Sequence, residues 1–352
     1  MNDLFDFQAR PQAAWLTTNR QCDARCPHCY AKGTRYNPSD DMTLETASSI
    51  LSLLNSMDIK LVTVLGGEPL MWEPLVEYNR IAKSYGMESR MATNAFRFGD
   101  DDFWMKYMEQ PCNLIGVSIK GVGAEMLKRL ANVNDHERAE RGVRRALDCY
   151  KNGVSTVFSS LMSPDDLWGI AKTTREWGAK TISIGFACAT LDSHGKASSK
   201  NYMIDPNNFK AFIEVYDRID ELFDGGVVFE PQLPFCMFDA DFIDKLIDKA
   251  QLSNGCFVNS RGGFTLDKNG NVLVCNSIYH EPIARIGQDF TDGESLMRRL
   301  NDESVKDIFK DLTRYPSDVC LGCDYKRYCR GGCLVNWTVL KPDMVKPVIR
   351  GV

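Results

Sequence analysis

Three cysteines fall within eight residues near the start of the chain, as Cys22-x3-Cys26-x2-Cys29. Six more lie in the last 97 residues, at Cys256, Cys275, Cys320, Cys323, Cys329 and Cys333. Thiolates gathered at such spacings bind soft metals, as zinc sites or as iron–sulfur clusters. Thirteen cysteines in 352 residues is far below the density of a disulfide scaffold. In a reducing compartment such thiols stay free for metal. Iron–sulfur clusters are normally held by four cysteines, so the first group is one ligand short, and an iron left free there can bind something else. Zinc is the alternative, because Cys-x3-Cys and Cys-x2-Cys spacings also suit a zinc ribbon.

The elements that must position these thiols read as alternating strands and helices. Apolar or β-branched runs occur at Ala14–Thr18, Leu61–Leu65, Ser89–Thr93, Leu114–Ser118, Val154–Phe158 and Thr181–Gly185, near-continuous as buried parallel strands should be. Between them Leu44, Ala47, Ile50, Leu51 and Leu54 recur at helical spacing, as do Val143, Ala146, Leu147 and Tyr150, with Gly153 where a left-handed C-cap belongs. Six strand-helix units in about 220 residues predict an α/β fold, a partial (β/α)6 TIM-like barrel over residues 1–225, with its site at the C-terminal ends of the strands. The Cys22–Cys29 loop starts four residues after the first strand, at that face. Asp205-Pro206 opens a further helix to about Phe223. After Gly226 the alternation stops. Residues 226–352 read as a second, loop-rich domain, with Glu230–Cys236 a linker and Gly263–Cys275 a β-hairpin turning at Asn269-Gly270.

Composition excludes several classes. The formal charge is −5, which supplies no basic surface for a nucleic-acid backbone. No run of about 18 apolar residues crosses a bilayer. The start lacks the basic-then-apolar pattern of a signal peptide, so a cytoplasmic protein is expected.

At this point the residues carry a resemblance. Cys22-Asp-Ala-Arg-Cys26-Pro-His-Cys29-Tyr30 resembles the cluster-binding loop of radical S-adenosylmethionine (SAM) enzymes. Gly66-Gly67-Glu68-Pro69 after the second strand is similar to that family's GGEP motif, Thr93-Asn94 ends the third strand, and Val117-Ser118-Ile119 ends the fourth. The resemblance implies a [4Fe–4S] cluster held by Cys22, Cys26 and Cys29. It also implies SAM bound at the free iron, an electron donor such as flavodoxin or ferredoxin, and a 5′-deoxyadenosyl radical that takes hydrogen from substrate. Gly66, Gly67, Glu68, Pro69, Asn94 and Ser118 would then contact SAM, with Tyr30 over the adenine. Many relatives carry Ser-Ile-Asp-Gly where this chain has Ser118-Ile-Lys120-Gly121, so Lys120 is either a surface residue or a site-facing cation.

Cys256-x13-Gly270-x4-Cys275 followed by Cys320-x2-Cys323-x5-Cys329-x3-Cys333 resembles the SPASM extension, which holds up to two auxiliary [4Fe–4S] clusters. The resemblance implies Cys256, Cys275 and Cys333 on one cluster and Cys320, Cys323 and Cys329 on the other. The full pattern has a further cysteine beyond the quartet, and residues 334–352 hold none. Asp343, Asp324, solvent or nothing at all would complete the second cluster, and Cys236 is either the fourth ligand of the first or a small buried hydrophobe. A single cluster, or zinc, is the alternative.

SPASM members mostly resemble peptide or protein maturases. Sulfatase activation fits poorly, because Asn276 follows Cys275 where those relatives place an acid, and a neutral amide cannot act as a base. About thirteen residues precede the first strand, too few for a leader-binding domain. Cys188, after the sixth strand, is either a hydrogen-atom donor at the barrel mouth or a packed core cysteine. Asp192, His194, Glu230 and His280 are either proton acceptors or solvated loop side chains. The expected function is an oxidoreductase that abstracts hydrogen from a peptide or protein and leaves a crosslink or an oxidised residue. The alternatives are a dehydrogenase, epimerase or decarboxylase of a small molecule such as an amino sugar or nucleoside, and a non-enzymatic zinc or iron–sulfur binding protein.

Overall fold

A computed structural model describes residues 11–33, 40–192, 194–198, 200–253, 256–279 and 282–346. Its frame is a single open sheet. Strands β1 (Ala13–Thr17), β2 (Leu61–Leu65), β3 (Glu88–Thr93), β4 (Leu114–Ile119), β5 (Val154–Phe158), β6 (Ile182–Phe186) and β7 (Val227–Glu230) lie side by side in chain order, every pair parallel. The crossovers carry helices α1 (Leu44–Ser56), α2 (Leu75–Ser84), α3 (Asp101–Met108), α4 (Gly123–Ala131), α5 (His136–Tyr150), α6 (Pro164–Glu176) and α7 (Phe209–Leu222). The partial barrel is therefore present, and β1 to β6 fall within a residue of the runs expected from sequence. Among the described residues no helix is long and apolar enough to cross a membrane.

Local chemistry explains the helix ends. Thr43 caps α1 by accepting from the Thr46 N–H, and Ala47, Ile50, Leu51 and Leu54 are its buried face. Ser163 and Asp166 form a reciprocal capping box on α6, with Pro164 at the first position. The left-handed cap of α5 is Lys151, not Gly153 as the sequence predicts. Gly153 is needed for packing: a Cβ there would stand 2.0 Å from the Thr181 hydroxyl.

Two further corrections concern the end of the barrel. The alternation does not stop at Gly226, because β7 follows at once and pairs with β6 from Ile182 to Gly185. The hairpin, β8 (Gly263–Leu266) and β9 (Val272–Leu273), is not detached either. β8 pairs in parallel with β1 from Ala13 to Leu16, on the edge opposite β2, so the expected boundary at 225/226 is crossed without leaving the sheet. The hairpin turn is as expected, with Gly270 at φ 83° and the Asp267 carboxylate accepting from the Asn269 and Asn271 N–H groups. After β7 the chain is held to the barrel by rings: Phe238 stacks on Phe209 with centroids 4.5 Å apart and meets Phe229 edge-on at 5.6 Å.

Candidate active site

The first thiol loop leaves β1 and is clamped to the loop after β2. The Gly67 N–H donates to Asn19 O at 3.0 Å, and Asn19 Nδ2 donates to Glu68 O at 2.9 Å. The two loops lie so close that a Cβ on Gly66 would be 2.1 Å from Asn19 Oδ1, and one on Gly67 would be 2.2 Å from Gln21 O. These glycines are thus required by the backbone of the thiol loop itself, a reason additional to the ligand approach expected from sequence.

Glu68 is 2% exposed, and its carboxylate accepts three bonds: from the Leu70 N–H at 3.1 Å, the Thr93 hydroxyl at 2.6 Å and the Asn94 N–H at 2.7 Å. Asn94 relays this to the thiols. Its Nδ2 donates to Asp23 Oδ1 at 2.8 Å and lies 3.9 Å from Cys22 Sγ, while its Oδ1 accepts from the Phe96 N–H at 2.9 Å. Both ends of the Asn94 amide are therefore engaged within the protein. Ala95 next to it is left-handed (φ 63°), a conformation disfavoured for a residue with a Cβ, and it is held there by the Thr93 hydroxyl accepting its N–H. Glu68 is consequently a positioning residue for the thiol loop.

Burial raises the Glu68 carboxyl to about 7, with the Asp23 charge adding to the effect. The folded protein thus keeps a proton that the unfolded chain releases near 4.5, so this group's contribution to stability is present below about 4.5 and is lost as pH rises through about 7. Glu68→Ala would leave three buried donors without an acceptor, at about 1–3 kcal/mol each. The expected result is a loss of roughly 3 kcal/mol or more in the apoprotein, larger at pH 5 than at pH 8, measured by urea unfolding at the two pH values.

Among the thiols, burial pushes Cys22 up to about 12, assisted by the nearby Glu68 charge. It raises Cys26 as well, partly offset by the Lys120 ammonium. Lys120 therefore faces the site, donating to Ser118 Oγ at 2.7 Å. Burial and this same cation hold His28 down at about 4, so its imidazole is neutral. The Tyr30 hydroxyl donates to Gly66 O at 3.5 Å and accepts from Asn276 Nδ2 at 3.1 Å, and Asn276 Oδ1 accepts from the Thr17 hydroxyl. Asn276, which the sequence marks only as a missing base, is thus a tether between the hairpin, β1 and the thiol loop. Arg20, over the Tyr279 ring at 5.5 Å, and Asp23 were also missed, since neither stands at a motif position.

The donor chemistry fits a cluster. Cys22, Cys26 and Cys29 are free thiols on one loop, and protonated thiols of this kind become thiolates when metal replaces the proton. Among the described residues no three His, Cys, Asp or Glu side chains close on a point that would hold a single ion. A cubane spreads its thiolates over separate irons.

The C-terminal cysteines gather in two places. Cys320, Cys323 and Cys329 line a cavity together with Cys236, walled by Pro234, Tyr315, Tyr325 and Lys326. This corrects the expectation that Cys236 joins the other group. Asp324 and Asp343 are exposed and do not line the cavity. Elsewhere Cys333 and Ile278 pack against one small apolar cluster of Ala189, Leu191 and Val335, the Ile278 N–H donates to Cys275 O, and burial raises the Cys256 and Cys275 thiols with Cys333 adding to the effect. Cys188 is a partly buried free thiol just after β6, and the residue after it, Ala189, is tied to Asn336 near Cys333. Asp192 accepts the His194 and Lys196 N–H groups within its own turn, and His194 is exposed. Glu230 accepts from the Ser183 hydroxyl at 3.0 Å. His280 lies outside the described residues.

With this geometry in hand, comparison with known proteins is informative. Residues 16–174 match the radical SAM superfamily. A probable GTP 3′,8-cyclase of Thermococcus kodakarensis is 25% identical over 190 residues, 51% of this chain and 58% of that protein. An Fe-coproporphyrin III synthase of Methanosarcina barkeri is 26% identical over 150 residues, 43% of this chain and 36% of that protein. The chain thus spans about half the length, or less, of these curated relatives. In shape it resembles Streptococcus suis SuiB bound to SAM, with a TM-score of 0.66 at 15% identity over 95% of this chain and 76% of that one. It resembles anSMEcpe with bound SAM and the Kp18Cys peptide equally well, with a TM-score of 0.66 at 19% identity over 91% of this chain and 88% of that one.

Proposed function

Starting from a chain whose residues 16–174 are a radical SAM domain, a superfamily that uses a [4Fe–4S] cluster and SAM, we propose a radical SAM oxidoreductase acting on a peptide or protein side chain. Cys22, Cys26 and Cys29 hold the SAM-binding cluster, and the C-terminal segment is a SPASM-like auxiliary cluster domain. When bound, the cluster and SAM supply the reductive cleavage that yields the 5′-deoxyadenosyl radical. The chain's residues supply the placement. Glu68, Thr93 and Asn94 fix the thiol loop, and Lys120 with Ser118 would offer a cation and a hydroxyl to a carboxylate such as that of SAM. The backbone of Gly66 and Gly67 would offer acceptors to its ammonium group, with Pro69 opening the turn that follows Glu68. The observation that carries the reading is the Glu68–Asn94–Asp23 network, which ties the loop bearing Cys22, Cys26 and Cys29 to the C-terminal ends of β2 and β3.

For the substrate, support comes from likeness that extends through the C-terminal segment to two peptide-bound enzymes, SuiB with precursor peptide SuiA and anSMEcpe with its peptide. The second reading, a small molecule such as a nucleoside, is favoured by the GTP 3′,8-cyclases among the sequence relatives. The test uses reconstituted enzyme with a deuterated peptide encoded beside its gene, and separately with deuterated GTP. Deuterium in 5′-deoxyadenosine from the peptide supports the first reading, and transfer from GTP alone overturns it.

Asn276→Ala removes the shorter of the two bonds described for the Tyr30 hydroxyl and leaves the one to Gly66 O. At about 0.5–1.5 kcal/mol per hydrogen bond, the expected result is SAM binding weakened roughly tenfold, measured by calorimetry on the reconstituted protein.

A further inference from the structure

Six C-terminal cysteines form two spatial triplets, and a [4Fe–4S] cluster has four irons to satisfy. Each triplet is met by one thiol from earlier in the chain, Cys188 or Cys236. We propose that Cys188 completes a four-thiolate site with Cys256, Cys275 and Cys333, and that Cys236 completes another with Cys320, Cys323 and Cys329, so that neither auxiliary cluster keeps an open iron. The inference rests on the reading of the C-terminal segment as cluster-bearing.

The backbone is built to bring these thiols in. Asn336 is fully buried: its Oδ1 accepts the Ala189 N–H at 2.8 Å, and its Nδ2 donates to Gln232 O at 2.6 Å. One side chain, three residues from Cys333, thereby grips the residue after Cys188 and the segment leading to Cys236. The Cys333 N–H donates to the same Gln232 O at 2.9 Å. Ala189, Leu191 and Val335 make a small apolar cluster of their own, with Cys333 packed against it. Gly332 is left-handed (φ 77°), and a Cβ there would stand 2.8–3.0 Å from the backbone of Gln232, Leu233 and Pro234, so the two segments meet at contact distance. On the other side, the Phe235 N–H points at Cys329 Sγ at 3.3 Å, which sets Cys236 beside that thiol. The cavity there is lined by all four sulfur-bearing residues and by no carboxylate. The Asn336 bond to the Ala189 N–H, with Cys333 packed against Ala189, sets Cys188 beside Cys333 and completes the first group. Metal would replace the protons of these thiols.

The consequence is functional. A cluster with all four irons bound to thiolate has no position for substrate, so both auxiliary clusters are confined to carrying electrons and cannot anchor the molecule being modified.

The test removes the first cluster with Cys22→Ala, Cys26→Ala and Cys29→Ala in the full chain, reconstituted anaerobically. This parent is expected to hold about eight irons and, once reduced, to give an electron paramagnetic resonance spectrum unmoved by cyanide. Adding Cys188→Ala or Cys236→Ala should lower the iron content or produce a signal that cyanide shifts, whereas Cys149→Ala and Cys112→Ala should do neither. Iron and spectra unchanged in the Cys188 and Cys236 variants would overturn the assignment. So would a cyanide shift in the parent, which is measured without altering either cysteine and decides the matter if a variant fails to fold. A parent without iron would instead refute the cluster-bearing reading of the C-terminal segment.

Discussion

Cys26→Ala is expected to abolish 5′-deoxyadenosine formation, lowering it below detection, and to remove about four irons per chain. The magnitude follows from ligand count. The loop brings three thiols and no fourth, so losing one leaves two for a cluster that already depends on an iron with no protein ligand. Cys26 is also the thiol that feels the Lys120 charge most directly, the cation being the largest effect opposing its burial. Anaerobic reconstitution followed by iron analysis and a chromatographic assay for 5′-deoxyadenosine checks both quantities. Cleavage at the native rate in this variant would refute the assignment of the first loop.

Cys320→Ala should behave oppositely in the first assay and alike in the second. SAM cleavage is expected to persist within a few-fold of wild type, because Cys320 lies in the cavity with Cys236, Cys323 and Cys329, apart from the Glu68–Asn94–Asp23 network. Product is expected to vanish, because the electron left on the substrate after hydrogen abstraction loses its exit. The diagnostic is uncoupling: 5′-deoxyadenosine accumulates without modified substrate, read by mass spectrometry of both in one reaction mixture. Parallel loss of cleavage and product would mean that the two regions are not separable in this way.

Much of this was legible in the residues. Buried parallel strands are near-continuously apolar, so β1 to β6 stand out, and the thiol loop could be placed at the strand ends from its distance to β1. β7 could not be found, because Val227–Glu230 is only four residues and runs directly into Pro231. The glycine at 153 was misread because a packing requirement against Thr181 looks, in sequence, like a cap. Motifs also conceal orientation. Glu68 stands in a motif associated with a ligand, yet its carboxylate turns inward to Thr93 and Asn94, and only tertiary structure discloses that. Cys188 and Cys236 show the same limit more sharply, since the proposed partners lie at least 68 and 84 residues away in the chain and the approach is set by the Asn336 and Gln232 bonds.

The pairing of β8 with β1 has a bearing on how the chain can be cut. β1 is the first strand of the barrel, yet one of its two hydrogen-bonding flanks is occupied by residues 263–266, some 250 positions later. A fragment ending near residue 225 would leave that flank bare, a row of unpaired amides and carbonyls on an apolar strand open to pairing with another molecule. Such a fragment should aggregate, and the barrel and its thiol-rich tail are best regarded as one folding unit whose first strand is finished last.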